Sequence, residues 1–122
     1  MTGYALAGIA LFAIGCTSPI RLVHVQPCTN YPKPTPELLA PRAELPFLPP
    51  MPVPSTVQGR VVLVRVIVDT TGRVMQDSVM ICGIGDPLYL QRVAEEVSAM
   101  RFRPGLLHAK HVIAPTSWSF TL

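Results

Sequence analysis

Charge is scarce in this chain. Only 14% of its 122 residues are Asp, Glu, Lys or Arg, and the net charge is +3. The ten basic residues are scattered, without the stripe that nucleic-acid binding calls for, so no nucleic-acid partner is expected. Cysteine is scarcer still. Cys16, Cys28 and Cys82 are all there is, and none belongs to a Cys-x-x-Cys pair, so a structural zinc site has no support. The three histidines are His24, His108 and His111. The last two stand three apart in what reads as a loop leading to a strand, with no cysteine or carboxylate beside them, and no metal is expected there. No nucleophile motif, phosphate-cradling glycine loop or convergent acid–base pair occurs, so neither an enzyme nor a cofactor is expected. Glu95 and Glu96 are adjacent on a helical pattern and point about 100° apart, which suits a solvated face rather than a catalytic pair.

Proline is abundant but confined. Eleven of the 14 prolines lie between Pro19 and Pro54. Proline fixes φ and removes an amide donor, so neither helix nor sheet propagates through such a segment. Residues 16–58 therefore read as a Pro-rich linker in polyproline II and coil, reaching roughly 130 Å if fully extended and nearer 35–40 Å as a coil. Tyr31, Phe47, Leu48 and Met51 are apolar for a spacer, and docking back on the domain or on a partner is the alternative. About 64 residues, Gly59 to Leu122, remain to form a core. A domain this small buries only roughly 60% of its chain surface, so a partner, a disulfide or a self-paired homodimer would be needed to support it.

Long apolar runs are also missing, with one short exception. Tyr4 to Gly15 is almost wholly apolar, too short for the roughly 20 residues of a membrane span and suited to a signal-peptide core. No Lys or Arg precedes it. It ends in Ala13-Ile-Gly-Cys16, which resembles the lipobox of bacterial lipoproteins, although Ala13 and Ile14 depart from the usual Leu and small residue. The resemblance implies a signal peptide over 1–15, cleavage before Cys16, and a diacylglyceryl group on its thiol. Thr17 in the next position favours the outer membrane. A cleaved signal without lipid and a short signal anchor remain open. An exported chain would place Cys28 and Cys82 in an oxidising compartment, where they can pair with each other or between molecules.

From Gly59 the pattern changes. Val62, Val64, Val66 and Val68 share one face of a strand, while Val61, Leu63, Arg65 and Ile67 share the other. Asp69-Thr-Thr-Gly72 has hairpin chemistry. A second strand is expected from Val74 to Cys82, exposed at Gln76, Asp77 and Ser78, with Val79, Met80 and Ile81 pointing to a bulge or to burial on both faces. Asp86 caps a helix that Pro87 begins. Its apolar stripe is Leu90, Val93, Ala94, Val97 and Met100, and Gln91, Arg92, Glu95, Glu96 and Ser98 face out. The last segment alternates, with Val112, Ala114, Thr116, Trp118, Phe120 and Leu122 on one side. Pro115 cannot donate to a ladder, so this is expected to be an edge strand or to bulge there.

These pieces together resemble the C-terminal domain of the TonB family. The resemblance rests on Gly59-Arg-Val-Val-Leu-Val-Arg-Val-Ile-Val-Asp69, Gly72-Arg-Val74 with Asp77, the Gly83–Gly85 break, Arg101-Phe-Arg-Pro104, the closing Trp118-Ser-Phe-Thr-Leu122 and the Pro-rich segment ahead. It covers about half the chain. It implies an α+β fold: a small two-layer domain, with one helix on a three-stranded antiparallel sheet in the order β-β-α-β. It also implies an energy transducer in transmembrane transport, which pairs an edge strand with a segment of an outer-membrane transporter. The strand so implied is His111 to Leu122, with Val112, Ile113, Ala114, Thr116, Ser117 and Ser119 as partner-binding residues. Met100 stands where the family usually has Trp, Gly105 where it has Ala, Ala109 where it has Gly and His111 where it has Pro. The apolar run also lacks the length and the His of the family's motor-facing helix. That departure leaves a second reading, a structural or scaffold lipoprotein of an envelope complex without energy transduction. Both readings place the chain in the bacterial cell envelope, facing the periplasm and anchored to a membrane.

Overall fold

Val62, Val64, Val66 and Val68 are each 0% exposed, whereas Val61 is 66% exposed and Leu63 40%. The two-residue period of the sequence is thus a physical partition, with each fully buried valine contributing about 2 kcal/mol of apolar burial. The computed structural model describes residues 22–29 and 35–122. The signal-like run, Cys16 and Tyr31 lie outside the described residues. In chain order the elements are β1 (Leu38–Leu39), β2 (Arg42–Ala43), β3 (Val61–Val68), β4 (Met80–Cys82), α1 (Pro87–Ser98), β5 (Phe102–Arg103), β6 (Gly105–Leu107), β7 (Lys110–Val112) and β8 (Ala114–Thr121). The architecture is α+β. A three-stranded antiparallel sheet has the order β4-β3-β8, a second three-stranded sheet has the order β1-β6-β7, and β2 pairs with β5.

The turn after β3 follows its chemistry. Asp69 Oδ1 accepts from the Thr71 amide at 2.8 Å, the Thr71 hydroxyl at 2.6 Å and the Arg73 amide at 3.0 Å. These bonds, that of the Thr71 hydroxyl foremost, hold the Asp69 carboxyl below its usual pKa. Gly72 follows at φ 89°, where a Cβ would run into the Phe102 carbonyl. The Gly72 carbonyl in turn accepts from the Phe102 amide at 2.9 Å, and Arg73 bridges Arg101. The turn and the Arg101-Phe-Arg-Pro104 segment are therefore parts of one junction.

The second strand is shorter than its expected span of Val74 to Cys82. Val74 makes an isolated bridge to Val68, and regular pairing resumes only at Met80. Between them Asp77 adopts φ 65°, and the Ser78 hydroxyl accepts from the Ile67 amide at 3.1 Å while donating to the Met75 carbonyl at 2.7 Å. A side chain thus stands in for a missing ladder partner. The detour lets Val79, Met80 and Ile81 all be buried in succession.

The helix begins as expected, with Asp86 Oδ1 accepting from Leu88 and Tyr89 amides, both at 3.0 Å, and Pro87 at the first position. Its buried face is Tyr89, Val93, Ala94 and Val97. Leu90 and Met100, expected in the stripe, are only half buried. Tyr89 takes their place because its hydroxyl reaches the Pro50 carbonyl at 2.9 Å, which lets the phenol be buried with its donor satisfied.

Pro50 belongs to the segment expected to be an open linker, and the described part of that segment is not open. Leu38 pairs with Leu107, Arg42 with Arg103 and Ala43 with Phe102. Prolines at 36, 41 and 46 hold these pairings to two residues each without preventing them. Beyond Pro46 the chain forms a strap. The Phe47 ring lies 5.0 Å from that of Phe120 and 6.1 Å from that of Trp118. Val53 and Val57 pack on the core, and the Met51 carbonyl accepts from Arg92 at 2.6 Å. The prolines hold the strap extended. Of the apolar residues for which docking was the alternative, Phe47 packs on the domain, whereas Leu48 and Met51 are 77% and 73% exposed; Val53 and Val57, not singled out in the sequence, pack on the core beside Phe47.

The earlier part of the same segment is fastened at the opposite side. Cys28 and Cys82 form a disulfide, with Cα atoms 5.8 Å apart. The His108–Ala109 pair, expected in a loop, forms the turn of the β6–β7 hairpin at φ 50° and 64°, which places His111 within a strand.

Two outcomes follow from these contacts. Gly72→Ala should cost more than about 2 kcal/mol, through the steric overlap and the positive φ. Gly85→Ala, with open space around it, should stay within about 0.5 kcal/mol in urea titrations of the two variants. The disulfide closes a separation of 54 residues, worth about 4 kcal/mol in the chain-entropy model. The Cys28→Ser, Cys82→Ser double variant should melt more than about 10 °C lower by calorimetry, and reductant should lower the parent chain equally.

Candidate functional site: the open edge of the central sheet

A three-stranded sheet has two edges, and this one treats them differently. β4 is flanked by residues 22–29, running parallel to it. Gln26 bridges Met80, and its amide donates to the Val79 carbonyl at 2.8 Å. The Gln91 side chain, expected to face out, closes on Val23 like a peptide group: its Oε1 accepts from the Val23 amide at 3.0 Å and its Nε2 donates to the Val23 carbonyl at 2.9 Å. With the Cys28–Cys82 bond, these contacts cover the β4 edge.

β8 pairs with β3 over its full length, from Val61↔Thr121 to Val68↔Ala114. In an antiparallel pair, alternate residues direct both backbone groups at the partner. Two observations set the phase. The Leu122 amide donates to the Arg60 carbonyl. Ile67, opposite Pro115, sends its amide to Ser78 and receives the Met75 amide on its other side. Ala114, Thr116, Trp118, Phe120 and Leu122 therefore bond to β3. Pro115, Ser117, Ser119 and Thr121 direct their backbone groups away from it. Pro115 is tolerated because the donor it lacks would have faced outward.

Ser117, Ser119 and Thr121 thus present three amides and three carbonyls along an edge for which the described residues supply no partner. Their side chains are exposed on the outer face, while Thr116, Trp118 and Phe120 are half buried on the inner face. No charged residue occurs between Val112 and Leu122. Edge strands are ordinarily blunted by short length, charge, proline or bulges, and this eight-residue edge carries only Pro115.

The residues expected to bind a partner fall into three groups. Ser117 and Ser119 lie on the open edge. The backbone groups of Ala114 and Thr116 are committed to β3. Val112 pairs with Gly105 in the hairpin, and Ile113 sits between β7 and β8, 57% exposed. Thr121 belongs to the edge but was not among them, although Pro115 carries the signal. A proline inside a strand marks the outward parity, which is then 117, 119 and 121.

Other places offer less. His108 Nε2 lies 3.9 Å from Glu37 Oε2, both exposed, and no group of three metal-ligating side chains occurs among the described residues. A cavity of about 1130 Å³ opens between the Asp69–Asp77 arm and the end of α1. Val74, Met75 and Met100 line it, with Asp69, Arg73, Glu95 and Arg101 around them, so it has charges of both signs and no convergent pair. Compared with protein-family models, curated proteins and solved structures, the chain matches none.

Proposed function

We propose that this chain is a TonB-like cell-envelope protein that takes an extended segment of an outer-membrane transporter, or of another envelope protein, onto β8, in transport across the outer membrane. The observation that carries the reading is the asymmetry of the edges. The described residues cover β4, with a disulfide to help, and leave an uncharged eight-residue strand open at β8. Main-chain bonds along such an edge supply affinity for an extended segment.

A second observation favours the scaffold reading of the same site. Residues 22–29 are fastened to the domain, so a lipid on Cys16 would be joined to it through residues 17–21 alone. That stretch spans at most about 20 Å, in place of the roughly 130 Å reach of a free linker. A domain held so close would work beside the membrane that anchors it. No helix among the described residues is long and apolar enough to cross a membrane.

Two measurements test this. A photo-crosslinking side chain at Ser119 in the native envelope should give adducts with a membrane-protein partner. Ser117→Pro should abolish them while changing stability by less than about 0.5 kcal/mol, whereas Thr116→Pro, which removes a bond to β3, should cost several kcal/mol. Adducts that survive Ser117→Pro would defeat strand addition. The intact mass of membrane-extracted protein should correspond to a chain starting at Cys16 with lipid attached; an unmodified chain retaining Met1 would remove the anchor from the proposal.

A further inference from the structure

We infer that the strap makes the β8 edge selective, with Phe47 as a specificity-determining residue: the edge fits a segment whose residues alternate between apolar and small polar. This rests on the strand-addition reading and specifies its partner. Side chains of an added strand project alternately to the two faces of the sheet. On the outer face its neighbours would be the exposed Ser117, Ser119 and Thr121, a row of small hydroxyls. On the inner face they would be Trp118 and Phe120, which β3 and α1 leave half exposed.

The strap roofs that inner face. The Phe47 ring lies tilted against Phe120 at 5.0 Å and Trp118 at 6.1 Å, and Phe102 backs Trp118 at 5.9 Å. Phe47 itself stays half exposed. A strand added about 4.8 Å beyond β8 would bring its inward side chains against this aromatic cluster. If the addition is antiparallel, residues opposite Ser117, Ser119 and Thr121 share the hydroxyl face, and those opposite Trp118 and Phe120 share the aromatic one. The open backbone groups begin at Ser117, because Pro115 has no donor to offer. The matched segment is therefore short: about five residues, apolar at the second and fourth.

Trp118 is the only tryptophan of the chain, and so reports directly on this face. Two nine-residue peptides of identical composition serve as probes, one alternating Thr and Val, the other with the same residues in two blocks. The alternating peptide should bind at least about tenfold more tightly to the full chain, shift Trp118 emission to the blue and shield it from iodide. Phe47→Ser should bring the two affinities within about twofold while leaving weak binding that Ser117→Pro abolishes. Equal affinities on the parent chain, or an unchanged ratio in Phe47→Ser, would overturn the role of the strap and leave strand addition standing. Binding of neither peptide would overturn the strand-addition reading beneath it. If Phe47→Ser does not fold, Phe47→Leu carries the same comparison, and a ratio unchanged from the parent chain would overturn the role of the strap.

Discussion

β3 is bonded along both of its edges, and that constraint sorts the rest of the molecule. β8 takes up one edge over all eight residues and β4 takes up three residues of the other, so the neighbours of β3 divide the remaining tasks. Its inward valines require a layer above them, which α1 and the strap supply together. Its partner on one side, β4, is irregular: Ser78 replaces backbone groups, and only three residues pair in register. Its partner on the other side, β8, pairs over eight residues without interruption. The regular side carries the long open edge because nothing along β8 turns the chain away from its neighbour.

The strap shows what proline does in a small domain. About 64 residues were too few for a self-sufficient core, and the shortfall is met from the segment that reads as a linker. Proline removes donors and fixes φ, which suits a chain that must lie flat on an apolar surface without competing for ladder bonds. Phe47, Val53 and Val57 then act as core residues supplied from outside the sheet. Among the described residues one buried side-chain donor, Trp118 Nε1, has no hydrogen-bond partner. Such a group costs about 1–3 kcal/mol, and the aromatic cluster offsets that by the area it buries.

Legibility in the sequence followed the range of the interaction. The valine alternation, the Asp69–Gly72 turn and the Asp86–Pro87 cap depend on neighbours within a few positions, and each could be read directly. The stripe of α1 read from the sequence omits Tyr89 and includes the half-buried Leu90 and Met100, because the group that permits the burial of Tyr89 is the Pro50 carbonyl, 39 positions away. Gln91 read as solvent-facing because its partner, Val23, is 68 positions away. The two-residue strands at Leu38–Leu39 and Arg42–Ala43 carry no period at all, and prolines around them argue against strand. The candidate edge was half legible. Pro115 marked the strand as an edge, but which residues face out needed the register with β3. Phe47 could be suspected only as an apolar residue in the wrong company.

The closure of the β4 edge bears on the opening of the β8 edge. A sheet with two open edges would accept a partner on either, and the β4 side could offer only three residues of ladder before the Ser78 detour. The chain closes that side with few backbone bonds of its own, essentially the Gln26 amide to Val79, and adds a covalent bond and the Gln91 clamp. Main-chain bonding there is too sparse to hold a segment by itself, so the disulfide supplies what the short ladder cannot. The arrangement leaves one edge at which main-chain bonding alone can be extensive. On the proposed reading, an incoming segment would thereby be directed to the strand whose inner face bears aromatic rings and whose outer face bears hydroxyls. Under that proposal selectivity would come from side chains on both faces, while the backbone would supply the reason to bind at all.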